Sequence, residues 1–237
     1  ATIDMLQNRV YIANKFNYCK PIIDEESDKS YLDVKNIRHP LIEHIQQNEL
    51  YVSNDINLGN NDQNGVCLFG TNAVGKTSLI KSIGMNIILA QSGFYTASSS
   101  FVYSPYKQLF TRILNNDNMF KGLSTFAVEM CELRTIIKMA NKNSLILGDE
   151  LCSGTENISA ISIFIAGLKT FHNNESSFIF ATHFHEINNI SHIHNLQKLK
   201  MKHLSVYYDN ELQTLIYDRK IKDGPGDSIY GLEVCKS

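Results

Sequence analysis

The chain has 237 residues, 43% of them hydrophobic, and a formal net charge of −2. That length suffices for one α/β domain with a substantial core, and the near-neutral balance excludes the dominant cationic field that neutralises many phosphates. No stretch approaches the roughly 20 apolar residues of a membrane span, and no basic segment leads into an apolar run as in a signal peptide.

Five scattered cysteines (Cys19, Cys67, Cys131, Cys152, Cys235) lack C-x-x-C spacing, which points to a reduced, intracellular compartment. The chain opens on Ala1 rather than Met, as an excised or processed piece would. Ile3, Leu6, Val10 and Phe16 recur at helical spacing, so a helix is predicted over residues 2–17. An acidic, turn-like stretch with Pro21 and Asp24-Glu25-Glu26 follows, read as a solvated loop. Short strands are predicted within residues 31–58, and an Asn-rich loop over 60–65.

Val66-Cys67-Leu68-Phe69 has the continuous apolar character of a buried strand, and residues 76–91 have helical spacing. Further strands are predicted at 109–114, 144–148 and 178–181, with helices at 124–140 and 160–171. Residues 204–208 and 212–217 read as a hairpin through Asp209-Asn210. This alternation predicts a mostly parallel sheet covered by helices on both faces.

Between the first buried strand and its helix lies Gly70-Thr71-Asn72-Ala73-Val74-Gly75-Lys76-Thr77, a complete G-x-x-x-x-G-K-[ST] phosphate loop. Its glycines let the backbone curl so that several N–H groups face one set of phosphate oxygens. Lys76 then reaches the β/γ-phosphates, and the Thr77 hydroxyl is a ligand for Mg²⁺. The helix that follows offers its N-terminus to the anion.

Two later strands end in reactive side chains. Leu145-Ile146-Leu147-Gly148 runs into Asp149-Glu150. With Lys76 and Thr77 upstream, Asp149 reads as a Mg²⁺ ligand and Glu150 as the group that orients or deprotonates water. Alone, this would be a strand that happens to end in acids. Phe178-Ile179-Phe180-Ala181 ends in Thr182-His183, and a histidine there can bond a γ-phosphate or simply be a satisfied surface histidine. Because no cysteine joins His183, His185, His192 and His194, a zinc site is disfavoured, and the last three read as solvated.

Taken together, these motifs resemble the ATPase domain of the MutS family of DNA mismatch-repair proteins. Ile37-Arg38-His39-Pro40-Leu41-Ile42-Glu43 resembles the family's R-H-P segment, and Tyr51-Val52-Ser53-Asn54-Asp55 its aromatic-to-Asn segment beside adenine. Gly70 to Thr77, followed by Ser78, match the phosphate loop, and Gln91 resembles a Q-loop glutamine. Ser124-Thr125-Phe126-Ala127-Val128-Glu129 matches S-T-F-x-x-E. Gly154-Thr155 resembles the D-loop, Ala181-Thr182-His183 the A-T-H switch, and Tyr230-Gly231-Leu232 a closing segment. Departures are Thr71 and Val74, where Pro and Gly are usual, and Ser153 in place of an Arg.

The resemblance implies an α/β fold of the ABC-type P-loop NTPase class, with an additional β subdomain beside the helix-covered sheet. Residues 1–30 would be a remnant of a preceding lever region and 31–237 the ATPase domain. ATP/ADP and Mg²⁺ would be bound, with Tyr51 stacked on adenine and Arg219 on its other side. Ser124 would serve the phosphate held by a second subunit's Lys76. DNA would be gripped by regions before Ala1, and no membrane is implicated. The Asn- and Ile-rich composition suits the viral and organellar branch. Two rivals remain: another ABC-type DNA-maintenance head, which would carry L-S-G-G-Q where this chain has Leu123-Ser124-Thr125-Phe126, and a non-catalytic dimerisation switch, which has no need of Glu150.

Overall fold

The computed structural model describes residues 2–45, 50–60, 62–113, 125–152, 156–209 and 214–226. The elements in chain order begin with α1 (Thr2–Phe16), β1 (Ile22–Ile23), β2 (Leu32–Ile37), α2 (Ile42–Ile45) and β3 (Asn54–Leu58). Next come β4 (Gly65–Phe69), α3 (Lys76–Gln91), β5 (Ser100–Tyr103) and β6 (Gln108–Arg112). Then follow α4 (Thr125–Met139), β7 (Ser144–Asp149), α5 (Asn157–Asn173) and β8 (Ser177–Ala181). A 3-10 turn (His185–Asn189) and α6 (Ser191–His194) lead to β9 (Leu199–Leu204), β10 (Tyr207–Asp209), β11 (Thr214–Ile216) and β12 (Ile221–Asp223).

Six strands form the main sheet in the order β12-β9-β4-β8-β7-β6. All its pairings are parallel except β12 with β9. β4, β7 and β8 are buried along their whole length, because each alternates side chains between two cores. Val66, Leu68, Leu145, Leu147 and Ile179 face a core shared with Ile80, Ile83 and Ile87 of α3. Cys67, Phe69, Ile146, Phe178 and Phe180 face the other, with Leu133 and Ile136 of α4 and Phe164, Leu168 and Phe171 of α5.

A four-stranded sheet, β1-β5-β2-β3, supplies Leu32, Val34, Leu58, Phe101 and Tyr103 to the α3 core. β1 pairs with β5, and Cys19 bridges to Thr96. Ile22 and Ile23 are thus built into this sheet, and a boundary near residue 30 cuts through it. α1 is held at its end by Arg38, whose guanidinium donates to Phe16 O at 2.9 Å and Asn17 O at 3.0 Å.

β9 and β12 are strands that the sequence pattern did not announce. β9 reads Leu-Lys-Met-Lys-His-Leu, and its interleaved lysines mask a strand whose end residues are buried. The hairpin forms from β10 and β11, antiparallel, with Leu204 belonging to β9 instead. No helix among the described residues is long and apolar enough to cross a membrane.

Candidate functional site

The parallel strands bring their carboxyl ends to one edge. Leu68 is registered with Ala181, and Ala181 with Asp149, so the segments after β4, β7 and β8 emerge side by side. Open α/β sheets bind ligands at this edge.

The 70–77 loop turns there on three residues with positive φ: Gly70 (150°), Ala73 (65°) and Gly75 (108°). A Cβ on Gly70 would also lie 2.9 Å from Val74 Cγ1, so both space and backbone demand glycine there. Gly75 lies at the N-cap of α3, in the left-handed conformation.

Lys76, the first residue of α3, is buried, and its Nζ donates to Gly70 O at 2.7 Å and Thr71 O at 3.0 Å. Burial lowers its pKa, while the Glu150 and Asp149 carboxylates pull it back up. The ammonium therefore sits folded under its own loop, facing two acids. Thr77 Oγ1 donates to Asp149 Oδ2 at 2.5 Å, and Asp149 Oδ1 is buried without a protein partner.

Glu150 follows with a left-handed backbone, φ 52°, and its N–H donates to Ala181 O at 3.0 Å. Its Oε1 lies 2.5 Å from His183 Nε2, which is in turn 3.5 Å from Lys76 Nζ. The neighbouring loop is held by Thr182, whose N–H donates to Leu68 O and whose hydroxyl accepts from Phe184 N. Lys76, Thr77, Asp149, Glu150 and His183 thus form one chain of contacts across three strand ends. A cation, two carboxylates and an imidazole in this arrangement can bind an anionic group and accept a proton from water beside it.

A cavity of about 190 Å³ opens next to the loop. Its lining includes Tyr51, Asn54, Ala73, Val74, Gly75, Ser78 and Arg219, with Ile42, Val52, Leu79 and Leu204 as apolar walls. Burial pushes the Tyr51 phenol up to about 12, so it stays protonated. Asn54 reaches across to the last strands: its Nδ2 donates to Arg219 O at 3.0 Å and its Oδ1 accepts from Ile221 N at 2.8 Å.

Residues 66–237 match the family described as MutS domain V. The chain belongs to the MutS family. It is 40% identical to a DNA mismatch repair protein mutS homologue of Acanthamoeba polyphaga mimivirus, over 99% of this chain and 24% of that protein. It is equally 40% identical to the mitochondrial DNA mismatch repair protein mutS homologue of Sarcophyton glaucum, over 98% of this chain and 23% of that protein. The DNA mismatch repair protein MutS of Alkaliphilus oremlandii is 30% identical, over 100% of this chain and 26% of its own length. The chain spans about a quarter of the length of the curated relatives it matches.

Within this MutS-family chain, two expectations need correction. Gln91 ends α3, and a 16-residue helix puts it about 22 Å along the axis from Lys76 at 1.5 Å per residue. Both of its amide atoms are bonded to the Tyr106 backbone, at 3.0 and 2.9 Å. Gln91 therefore staples the end of α3 to the 104–107 segment and is not a nucleotide contact. Asn54 lines the cavity, and its amide bonds the backbone of Arg219 and Ile221, which fixes that wall. His185 is half-buried and not fully solvated: its ring centroid lies 5.2 Å from that of Phe69, and burial lowers its pKa. His192 and His194 are exposed.

Asn72 and Ala73 are exposed at the tip of the loop. Ser124, Ser153, Gly154, Thr155 and the Tyr230-Gly231-Leu232 segment lie outside the described residues. Ile42 was not foreseen as a wall, since a four-residue helix leaves no periodic signal. The contact of Glu129 with the turn after β7 was equally hidden, because it joins residues 23 apart.

Proposed function

We propose that this MutS-family domain is an ATPase of the ABC-type P-loop class, binding ATP with Mg²⁺ and hydrolysing it to ADP and phosphate. The observation that carries the reading is the convergence of Lys76, Thr77, Asp149, Glu150 and His183 at one sheet edge, beside a cavity walled by Tyr51 and Arg219. The loop amides and Lys76 would hold the phosphates, and the cavity the base.

The residues present fit a magnesium ion. Asp149 Oδ1 is a buried carboxylate oxygen with no protein partner, and the Thr77 hydroxyl lies against the same carboxylate. Hard oxygen donors of this kind, together with phosphate oxygens, suit Mg²⁺, which neutralises phosphate charge when bound. Glu150 would take the proton from the water that attacks the γ-phosphorus as the bond to the ADP oxygen breaks. His183, between Lys76 and Glu150, would hold that carboxylate and meet the γ-phosphate. Lys76 would exchange its two carbonyl bonds for phosphate oxygens.

In the larger protein the cycle would drive conformational change on DNA, with two such domains sharing composite sites. The relatives' descriptions as mismatch-repair proteins support this placement. The test is calorimetric titration of ATP with Mg²⁺, alongside turnover. Lys76→Ala removes charge-assisted bonds worth roughly 1.5–3 kcal/mol each, so ATP affinity falls about tenfold or more. Glu150→Gln keeps ATP affinity and loses turnover by about 10²–10⁴-fold. A folded Lys76→Ala chain with unchanged affinity overturns the reading.

A further inference from the structure

Glu129 is a carboxylate only 3% exposed, in the second turn of α4. Its Oε1 accepts the backbone N–H of Cys152 at 2.7 Å. The turn it grips is unusual. Within three residues of Asp149 it holds two non-glycine residues in the left-handed region, Glu150 (φ 52°) and Cys152 (φ 66°). L side chains disfavour that region, and such backbones persist only where their surroundings over-determine them.

Three restraints do so here. The Glu150 N–H is bonded to Ala181 O, Leu151 and Cys152 are buried in the α4–α5 core, and the Cys152 N–H is bonded to Glu129. The last is a charge-assisted bond from a neighbouring helix. One helical turn further on, Glu132 pairs with Arg112 at 3.2 Å, and Arg112 is registered with Gly148. Two carboxylates on one face of α4 thus fasten this helix to the ends of β6 and β7.

A buried N–H needs an acceptor, and Glu129 satisfies that need for Cys152. The position of the bond gives it a further consequence. We infer that Glu129 is a positioning residue for Glu150: by fixing the 150–152 turn against α4, it sets the direction in which the Glu150 carboxylate meets His183. This rests on the ATPase reading given above and assigns a role to a residue which that reading leaves unused.

The test uses the 237-residue chain with Glu129→Ala and Glu129→Gln, whose amide oxygen still accepts the Cys152 N–H. Turnover, ATP affinity, thermal melting and the imidazole NMR resonances of His183 are measured for each. Glu129→Ala lowers kcat on the order of 10²-fold, as misplacement of a reacting group by about 1 Å does, and leaves ATP affinity within about twofold. It also shifts the His183 resonances, because the partner of that ring has turned. Glu129→Gln recovers most of kcat and restores the His183 signals. The double variant Glu129→Ala/Glu150→Gln is no slower than Glu150→Gln alone, since Glu129 acts through Glu150.

Unmoved His183 resonances in a folded Glu129→Ala chain overturn the inference, as does an additive loss in the double variant. The His183 readout needs no turnover. A parent chain that fails to hydrolyse ATP therefore overturns the ATPase reading by itself, and the resonance shift still decides the positioning role.

Discussion

The Thr77 hydroxyl and the Asp149 carboxylate are 2.5 Å apart, which ties the first turn of α3 to the end of β7. Asp149 is buried, and its second oxygen has no hydrogen-bond partner. Thr77→Val keeps the shape and removes the donor. It removes the hydrogen-bond donor from Asp149 Oδ2, which costs about 1–3 kcal/mol. Denaturant unfolding should show that loss, and Thr77→Ser should recover it. ATP titrations should show the Mg²⁺-dependent part of the affinity falling in Thr77→Val. Affinity without Mg²⁺ should stay near the parent value. Equal losses with and without Mg²⁺ would remove Thr77 from the metal site.

Tyr51 and Asn54 line the same cavity by different means, and substitutions separate them. Stacking of a base on an aromatic ring is worth ~1–3 kcal/mol, so Tyr51→Ala should weaken ATP binding about tenfold, while Tyr51→Phe keeps the ring and the affinity. Asn54→Ala breaks the two bonds to Arg219 and Ile221. It should weaken ATP binding by releasing Arg219. Combined with Arg219→Ala it should add little further loss, because both act through one wall. Calorimetry on the single and double variants checks this; full additivity would mean that Asn54 meets the nucleotide itself.

How much of this was legible in the sequence depends on how local each signal was. β4, its loop and α3 were readable because the strand is buried on both faces and the glycines are fixed by backbone geometry at adjacent positions. β7 and β8 were readable for the same reason. β9 was not: Lys200 and Lys202 interrupt it, and only its pairing with β4 and β12 makes it a strand. Gln91 misled because its sequence context carried no distance; the straight run of α3 takes it to the opposite end of the helix. Asn54 and Glu129 act through contacts with residues far along the chain, 219 and 152, which no local pattern encodes.

His39 should give the cavity a pH dependence. Its Nδ1 accepts from Leu41 N at 3.3 Å and Ile42 N at 3.2 Å, so a neutral imidazole caps the short helix α2 whose Ile42 forms a cavity wall. Burial first, and then the nearby Lys81 charge, lower its pKa below the ordinary 6.5. A depressed histidine binds fewer protons in the folded state than in the unfolded one between those two values. Stability therefore rises with pH through that window. The His39 contribution is fully present above pH 6.5 and is lost as pH falls through the folded pKa. ATP affinity should decline as pH falls through the folded pKa, where the native imidazole itself takes up a proton and the cap is lost. His39→Asn offers an acceptor that does not titrate, and should flatten the decline. An unchanged acid profile in that variant would assign the effect to another group.

The family resemblance makes one further demand, that a second copy complete each site. Ser124 directly precedes α4 in the sequence, a 15-residue helix whose positive dipole end favours an anion. In the proposed arrangement Ser124 serves the phosphate held by the other copy's Lys76. Specific ATPase activity should then rise with protein concentration as dimers form. Mixing gives the sharper result. Lys76→Ala chains bring an intact Ser124 but no working phosphate loop, and Ser124→Ala chains bring the reverse. A mixed dimer restores one complete site, so the mixture should hydrolyse ATP faster than either variant alone at the same total concentration. Turnover per chain that is independent of concentration, with no gain on mixing, would show that Ser124 acts within its own chain or serves only as the cap of α4.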